Sequence, residues 1–177
     1  MCGKCWQKSD DRRNIQEQKP EEYEDLNGVI LVGHSYGGFV YLDGYIPQDK
    51  KSALDIIPDL EDIYKERTLK ELGKEWLVAP YEPQVWGVTD PADITWMKTR
   101  LSPMPWHTHD QPVRLTNSEA NNIPKSYISC TEYNNLHFMA QRAKSAGWDY
   151  HELKTGHDAM ITVPVELVQK LEQLSTN

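Results

Sequence analysis

Residues 28 to 38 read Gly28-Val29-Ile30-Leu31-Val32-Gly33-His34-Ser35-Tyr36-Gly37-Gly38. The first half is a short apolar run, rich in β-branched residues and bounded by glycines, which is the pattern of a strand buried on both faces. The second half is a G-x-S-x-G motif. A serine hydroxyl is a poor nucleophile until it is exposed on a tight turn and handed a base, and small flanking glycines permit the backbone that such a turn imposes. A buried strand leading directly into this motif therefore marks Ser35 as a nucleophile on a strand-to-helix turn. The N–H of the next residue, Tyr36, is then placed to donate to the oxyanion formed in acyl transfer.

Working outward, Phe39 to Ile46, closed by Pro47, reads as a second strand and Ser126 to Thr131 as a third. Pro58 to Leu72 carries Leu60, Tyr64, Leu69 and Leu72 on roughly one side and stops at Gly73, predicting a helix. Thr89-Asp90-Pro91 opens another, with Ile94, Met97 and Leu101 at helical spacing. Leu136 to Ala146 reads as a helix closed by Gly147, Trp148 to Leu153 as a strand, and Pro164 to Leu174 as a final helix presenting Leu167, Leu171 and Leu174. Alternating strands and helices predict an α/β class with a mostly parallel sheet flanked by helices. Residues 1–27 hold few aliphatic side chains and read as a polar tail, leaving 28–177 as the domain. Within it, 48–113 reads as a helical, Trp- and Pro-rich cap. Trp86, Trp96 and Trp106 are expected to line an apolar pocket beneath that cap, against the simpler reading that they only fill a core.

An activated serine needs a base, and His157 in Thr155-Gly156-His157-Asp158-Ala159-Met160 follows a strand and precedes the last helix. His34 belongs to the serine turn itself, and His107, His109, His137 and His151 lack comparable punctuation. The base in turn needs a carboxylate to orient it. Asp43 comes first, because it ends the second strand, where loops of a parallel sheet converge on a ligand site. Glu132, just past the third strand, is the rival, and Asp158 reads as structural.

The balance of 19 Lys+Arg against 27 Asp+Glu gives a net charge of -8, with no basic stripe, which argues against a nucleic-acid partner. No apolar run approaches the roughly 18 residues of a membrane span, and residues 1–19 lack the apolar core of a signal peptide. Neither a membrane partner nor export is expected, and the predicted compartment is the cytoplasm. Three cysteines make no disulfide framework. Cys2-Gly3-Lys4-Cys5 offers two metal ligands of four, and the H-x-H-D run His107-Thr108-His109-Asp110 reads as a solvated loop, so neither metal nor cofactor is expected.

Four ordered motifs, Val-Gly-His-Ser-Tyr-Gly-Gly at 32–38, Val-Tyr-Leu-Asp-Gly-Tyr-Ile-Pro at 40–47, Tyr-Ile-Ser-Cys-Thr-Glu at 127–132 and Gly-His-Asp-Ala-Met at 156–160, resemble an α/β-hydrolase. More narrowly they resemble bacterial esterase-like hydrolases related to the plant methylesterase and hydroxynitrile lyase branch. The resemblance implies a serine hydrolase of small-molecule carboxylic esters with the order Ser35, acid, His157. Some relatives carry the acid after the strand matching 40–43, others after the one matching 127–131. Tyr133 stands where the plant branch has its Asp, which favours Asp43. Two departures accompany the match. In the family, half of the sheet and a second oxyanion donor precede the nucleophile, where this chain has only residues 1–27. Ser35 and Asp43 are also eight positions apart, fewer than the about ten to twelve that a parallel crossover takes. The chain therefore reads as a shortened relative with weakened activity and an exposed sheet edge inviting homo-oligomers. The alternative is a non-catalytic remnant that binds an apolar ligand.

Overall fold

The computed structural model describes residues 32–36 and 40–175. In chain order it holds β1 (Val32–Tyr36), β2 (Val40–Tyr45), α1 (Ala53–Ile56), α2 (Asp59–Arg67), β3 (Thr68–Leu69), β4 (Lys74–Val78), α3 (Pro91–Lys98), β5 (Met104–Pro105), α4 (His107–Asp110), β6 (Ser126–Cys130), α5 (His137–Ser145), β7 (Asp149–Leu153), α6 (Ala159–Thr162) and α7 (Pro164–Ser175). Short 3-10 turns punctuate the rest.

Four strands form a parallel sheet in the order β1-β2-β6-β7. Side chains alternate across a strand, and here both faces are apolar. Val40, Leu42, Ile128, Cys130 and Leu153 pack on one side with Ala159 and Leu167 of the last two helices. Tyr41 and Tyr127 point the other way, onto Leu136, Met139, Ala140 and Ala143. Tyr127, Ile128, Met139 and Ala143 are fully buried. Near-continuous apolar strands are what a parallel sheet covered on both sides requires. The crossover from β6 to β7 is α5, whose Met139, Ala140 and Ala143 share one face by helical spacing.

Two sequence expectations change here. Ser35 lies inside β1, not on a turn into a helix, because β2 begins at Val40 and pairs alongside in parallel, Val32 with Val40 and His34 with Leu42. The eight positions from Ser35 to Asp43 thus join adjacent parallel strands, without the about ten to twelve residues expected of a crossover. Residues 37–39 between the strands, the 28–31 part of the expected first strand and the polar tail 1–27 lie outside the described residues.

Segment 48–113 is not purely helical. The helix expected from Pro58 to Leu72 ends at Arg67, because Thr68 pairs with Val78 and Leu69 with Lys74, and β3-β4-β5 form an antiparallel sheet. The Arg67 guanidinium fixes this corner, donating to the carbonyls of Ala79 and Pro80 and lying 4.1 Å over the Tyr81 ring. Gly73, at φ 62, closes a 3-10 turn between β3 and β4 rather than the helix. The starts of α1 and α3 are capped. Ser52 and Asp55 form a capping box at α1, and the Asp90 carboxylate accepts from the N–H groups of Ala92 and Asp93 ahead of Pro91 at α3. Leu54, Tyr64 and Val78 form a small separate core with Leu60, Tyr81, Met104 and Trp106 packed against it. No described helix is long and apolar enough to cross a membrane.

Candidate active site

The chemistry-bearing side chains gather at the C-terminal ends of the parallel strands, where such sheets present ligand sites. Pairing between β1 and β2 breaks after His34–Leu42 and resumes at Tyr36–Tyr45, so Ser35 alone stands opposite Asp43 and Gly44. An extra residue on one strand re-aims the side chains beside it. Ser35 at φ 59 and Asp43 at φ 42 both occupy the left-handed region without being glycine. Such backbone costs on the order of 1–3 kcal/mol per residue and persists only where the surroundings over-determine it.

Asp43 is 1% exposed. Its Oδ2 accepts from His157 Nδ1 at 2.7 Å, and its Oδ1 accepts from the Cys130 N–H at 3.2 Å. Both oxygens are thus bonded, which a buried carboxyl group requires. Glu132, the rival acid, is exposed, and what it gives the site is backbone: its N–H donates to the Thr155 carbonyl at 3.0 Å. Tyr36 closes β1 in register with Tyr45.

Three rings surround the imidazole of His157, which is 4% exposed: His34 at 4.4 Å between centroids, Tyr133 at 4.8 Å and Trp86 at 5.2 Å. His34 Nε2 lies 3.0 Å from the His157 carbonyl oxygen, which the Cys130 thiol also faces. Burial, and then the neighbouring His157, push the His34 pKa down to about 4. At neutral pH the ring is uncharged and donates Nε2–H to that carbonyl. Asp158 Oδ1 lies 3.7 Å from His34, and desolvation raises the pKa of Asp158. Burial also lifts the Cys130 thiol far above the ordinary range, so it is no thiolate nucleophile. His34, His157 and Asp158 bring their ligating atoms within 4.8 Å of one another and are the group that could hold a metal ion among the described residues, although His157 Nδ1 is committed to Asp43.

The loop carrying His157 is wedged against segment 48–113. A Cβ on Gly156 would lie 2.4 Å from the Trp86 carbonyl oxygen and 2.7 Å from the Gly87 Cα. Gly87, at φ 87, meets Gly156 equally closely from its own side. Two glycines thus let two backbones touch beside His157.

Ser35 and His157 open onto one cavity of about 490 Å3, whose lining includes Trp86 and Tyr133 near the histidine and Leu60, Tyr64, Met104 and His109 from the segment above. Trp86 is the one expected tryptophan among the lining residues. Trp96 is 49% exposed on α3 with the Arg100 guanidinium 4.3 Å over its ring. Trp106 packs edge-on against Tyr64 at 6.0 Å within the small upper core. The H-x-H-D run also differs from a solvated loop: His107 does pair with Asp110 at the surface, but His109 is buried. Sequence reasoning passed over His34 and Tyr133 as contacts of His157, although His34 adjoins the serine and Tyr133 follows Glu132. Gly156, next to the histidine, carried a signal only once its neighbour Gly87 was known.

Parallel strands flanked by helices, with serine, carboxyl group and histidine in that chain order at the strand ends, define an α/β-hydrolase arrangement. A solved structure described as an extracellular α/β-hydrolase from a Paenibacillus species, sharing structural and functional homology with tobacco salicylic acid binding protein 2, superimposes with a TM-score of 0.69 at 21% identity, covering 84% of this chain and 72% of that one. In sequence the chain is 26% identical over 183 aligned positions to a carbendazim hydrolyzing esterase of Nocardioides sp. (strain SG-4G), covering 86% of this chain and 74% of that protein. No family model matches the chain. The chain thus has the α/β-hydrolase fold and is similar in sequence to an esterase, and the likeness supports ester hydrolysis as the general class of chemistry.

Proposed function

We propose that the protein hydrolyses carboxylic esters of small molecules through Ser35, His157 and Asp43. One observation carries the reading: a buried Asp43–His157 pair, bonded at 2.7 Å, shares its cavity with Ser35. With Nδ1–H given to Asp43, the neutral imidazole presents Nε2 as its basic atom. Ser35 Oγ attacks the ester carbonyl carbon as its proton passes to His157 Nε2, and Asp43 stabilises the imidazolium that forms. The Tyr36 N–H donates to the carbonyl oxygen as it becomes an oxyanion. Collapse of the tetrahedral intermediate breaks the C–O bond, with His157 protonating the departing alcohol. Water, deprotonated by the same histidine, then attacks the acyl-serine, releasing the acid and restoring Ser35. Residues 48–113 act as the cap that excludes water and shapes the apolar pocket, and the chemistry calls on no cofactor.

Labelling the purified protein with a fluorophosphonate probe, followed by mass spectrometry, tests this reading. The expected adduct is on Ser35 and disappears in His157→Ala. A folded protein that takes no label would favour instead a binder of apolar ligands in the same cavity.

A further inference from the structure

Beside the cavity that holds Ser35 and His157 lies a second one of about 200 Å3, whose lining includes Ala53, Ile56, Val113 and Leu115. That lining is apolar apart from Lys51, which is exposed, and Ser52, whose hydroxyl is spent on the capping box of α1. Nothing in the proposed mechanism uses it. Among the described residues, Tyr45 alone lines both cavities. Ile57 lines the first and Ile56 the second, so the partition runs from Tyr45 to the end of α1. Tyr45 closes β2 and pairs with Tyr36, the residue after Ser35, which sets the partition beside the serine. Its ring stands with the upper elements, edge-on to His109 of α4 at 6.4 Å. A packed aromatic ring yields its place to a flexible chain only by giving up its own contacts, so apolar space behind such a ring is closed to a ligand while the ring stands.

We infer that Tyr45 is a specificity-determining residue whose side chain walls off the second cavity, so that preferred esters are compact and long straight alkyl chains are turned away. That the chains belong to esters rests on the hydrolase reading above; the wall does not.

Linear ketones, which are not hydrolysed, probe the wall without turnover: the series from 2-hexanone to 2-dodecanone, titrated calorimetrically into the full chain. In the wild type the affinity is expected to stop rising within the series. In Tyr45→Ala it should keep rising, by about fourfold for each methylene that enters the second cavity, so that 2-dodecanone binds at least about tenfold more tightly than to the wild type. Tyr45→Val is the alternative should the alanine variant not fold. Removing the ring also enlarges the first cavity, and Val113→Phe separates the two effects. Val113 lines the second cavity and not the first, and its backbone is held by Lys50 and Lys51. Alone, Val113→Phe should leave the wild-type affinities within about twofold; combined with the Tyr45 substitution, it should remove the gain. A gain that survives Val113→Phe, a folded Tyr45 variant with wild-type affinities, a wild-type series cut short by Val113→Phe alone, or no binding of any ketone overturns the inference. The p-nitrophenyl esters of acetic to dodecanoic acid then read turnover. The same length limit with ketones but no ester turnover would defeat the hydrolase reading and leave the wall standing; turnover whose length profile the Tyr45 substitution does not move would do the reverse.

Discussion

At the ends of β1 and β2, polar groups are buried, strained and fully bonded: Asp43 has a partner on each oxygen, and two non-glycine residues hold left-handed backbone. In segment 48–113 the balance inverts. Short antiparallel strands and brief helices carry an apolar inner surface, while Trp76 and Trp96 stand half in solvent. Strain is affordable in the lower layer because a sheet packed on both faces surrounds it. The upper layer, with a core of its own built on Leu54, Tyr64 and Val78, contributes shape. On the proposed reading, reactivity and selection sit in different layers, and substitutions in each should move different kinetic constants.

The largest expected effect lies below. Ser35→Ala and His157→Ala should each lower kcat by about three orders of magnitude or more, and Asp43→Asn by on the order of 10^3 to 10^4, with far-ultraviolet circular dichroism unchanged for the serine variant. Glu132→Gln should retain activity within about twofold; a loss matching that of Asp43→Asn would move the supporting acid to Glu132. Next comes the junction of the layers. Gly156→Ala must displace the Trp86–Gly87 backbone, at a cost of about 1–3 kcal/mol in urea unfolding together with most of the activity, because the displaced loop carries His157. Gly147→Ala, whose Cβ would meet nothing within 4 Å, should cost stability alone through its positive φ. In the upper layer, Trp86→Ala should raise KM about tenfold with a smaller change in kcat, whereas Trp96→Ala should leave both within about twofold. Equal effects of the two tryptophans would erase the distinction between lining and surface.

The smallest expected effect is on pH dependence. His34 and His109 both titrate near 4 in the folded chain and near 6.5 when unfolded. Between those values the unfolded state binds more protons, so the stability these neutral rings allow is complete above about pH 6.5 and lost as the pH falls towards 4. Urea midpoints should drop between pH 7 and 5, and His109→Leu should flatten that drop. An unaltered slope in the variant would show that His109 is charged or exposed in the folded protein.

The sheet was legible because its signal is one-dimensional: apolar strands bounded by glycine or proline, and a helix with Met139, Ala140 and Ala143 on one face. Asp43 and His157 were legible for a similar reason, since position at a strand end is a sequence property. The antiparallel β3-β4-β5 sheet was not, because two of its three strands are only two residues long and have no measurable period, and Thr68-Leu69 reads as the tail of α2. Likewise the burial of His109 depends on Tyr64 and Tyr45, dozens of residues away, and nothing in His-Thr-His-Asp distinguishes the ring that turns inward. Trp96 misled because Trp86, Trp96 and Trp106, ten residues apart, suggest a common role, whereas Trp86 lies in a 3-10 turn, Trp96 on α3 and Trp106 just ahead of α4.

The contact between Gly87 and Gly156 also constrains how such a protein can be rebuilt by recombination. An upper layer transplanted from a protein of the same fold brings its own residue to position 87, and any side chain there strikes the loop that holds His157 against Asp43. Donor caps are then compatible only if they arrive with a glycine at that seam. The two layers divide the work, yet they can be inherited only as a matched pair.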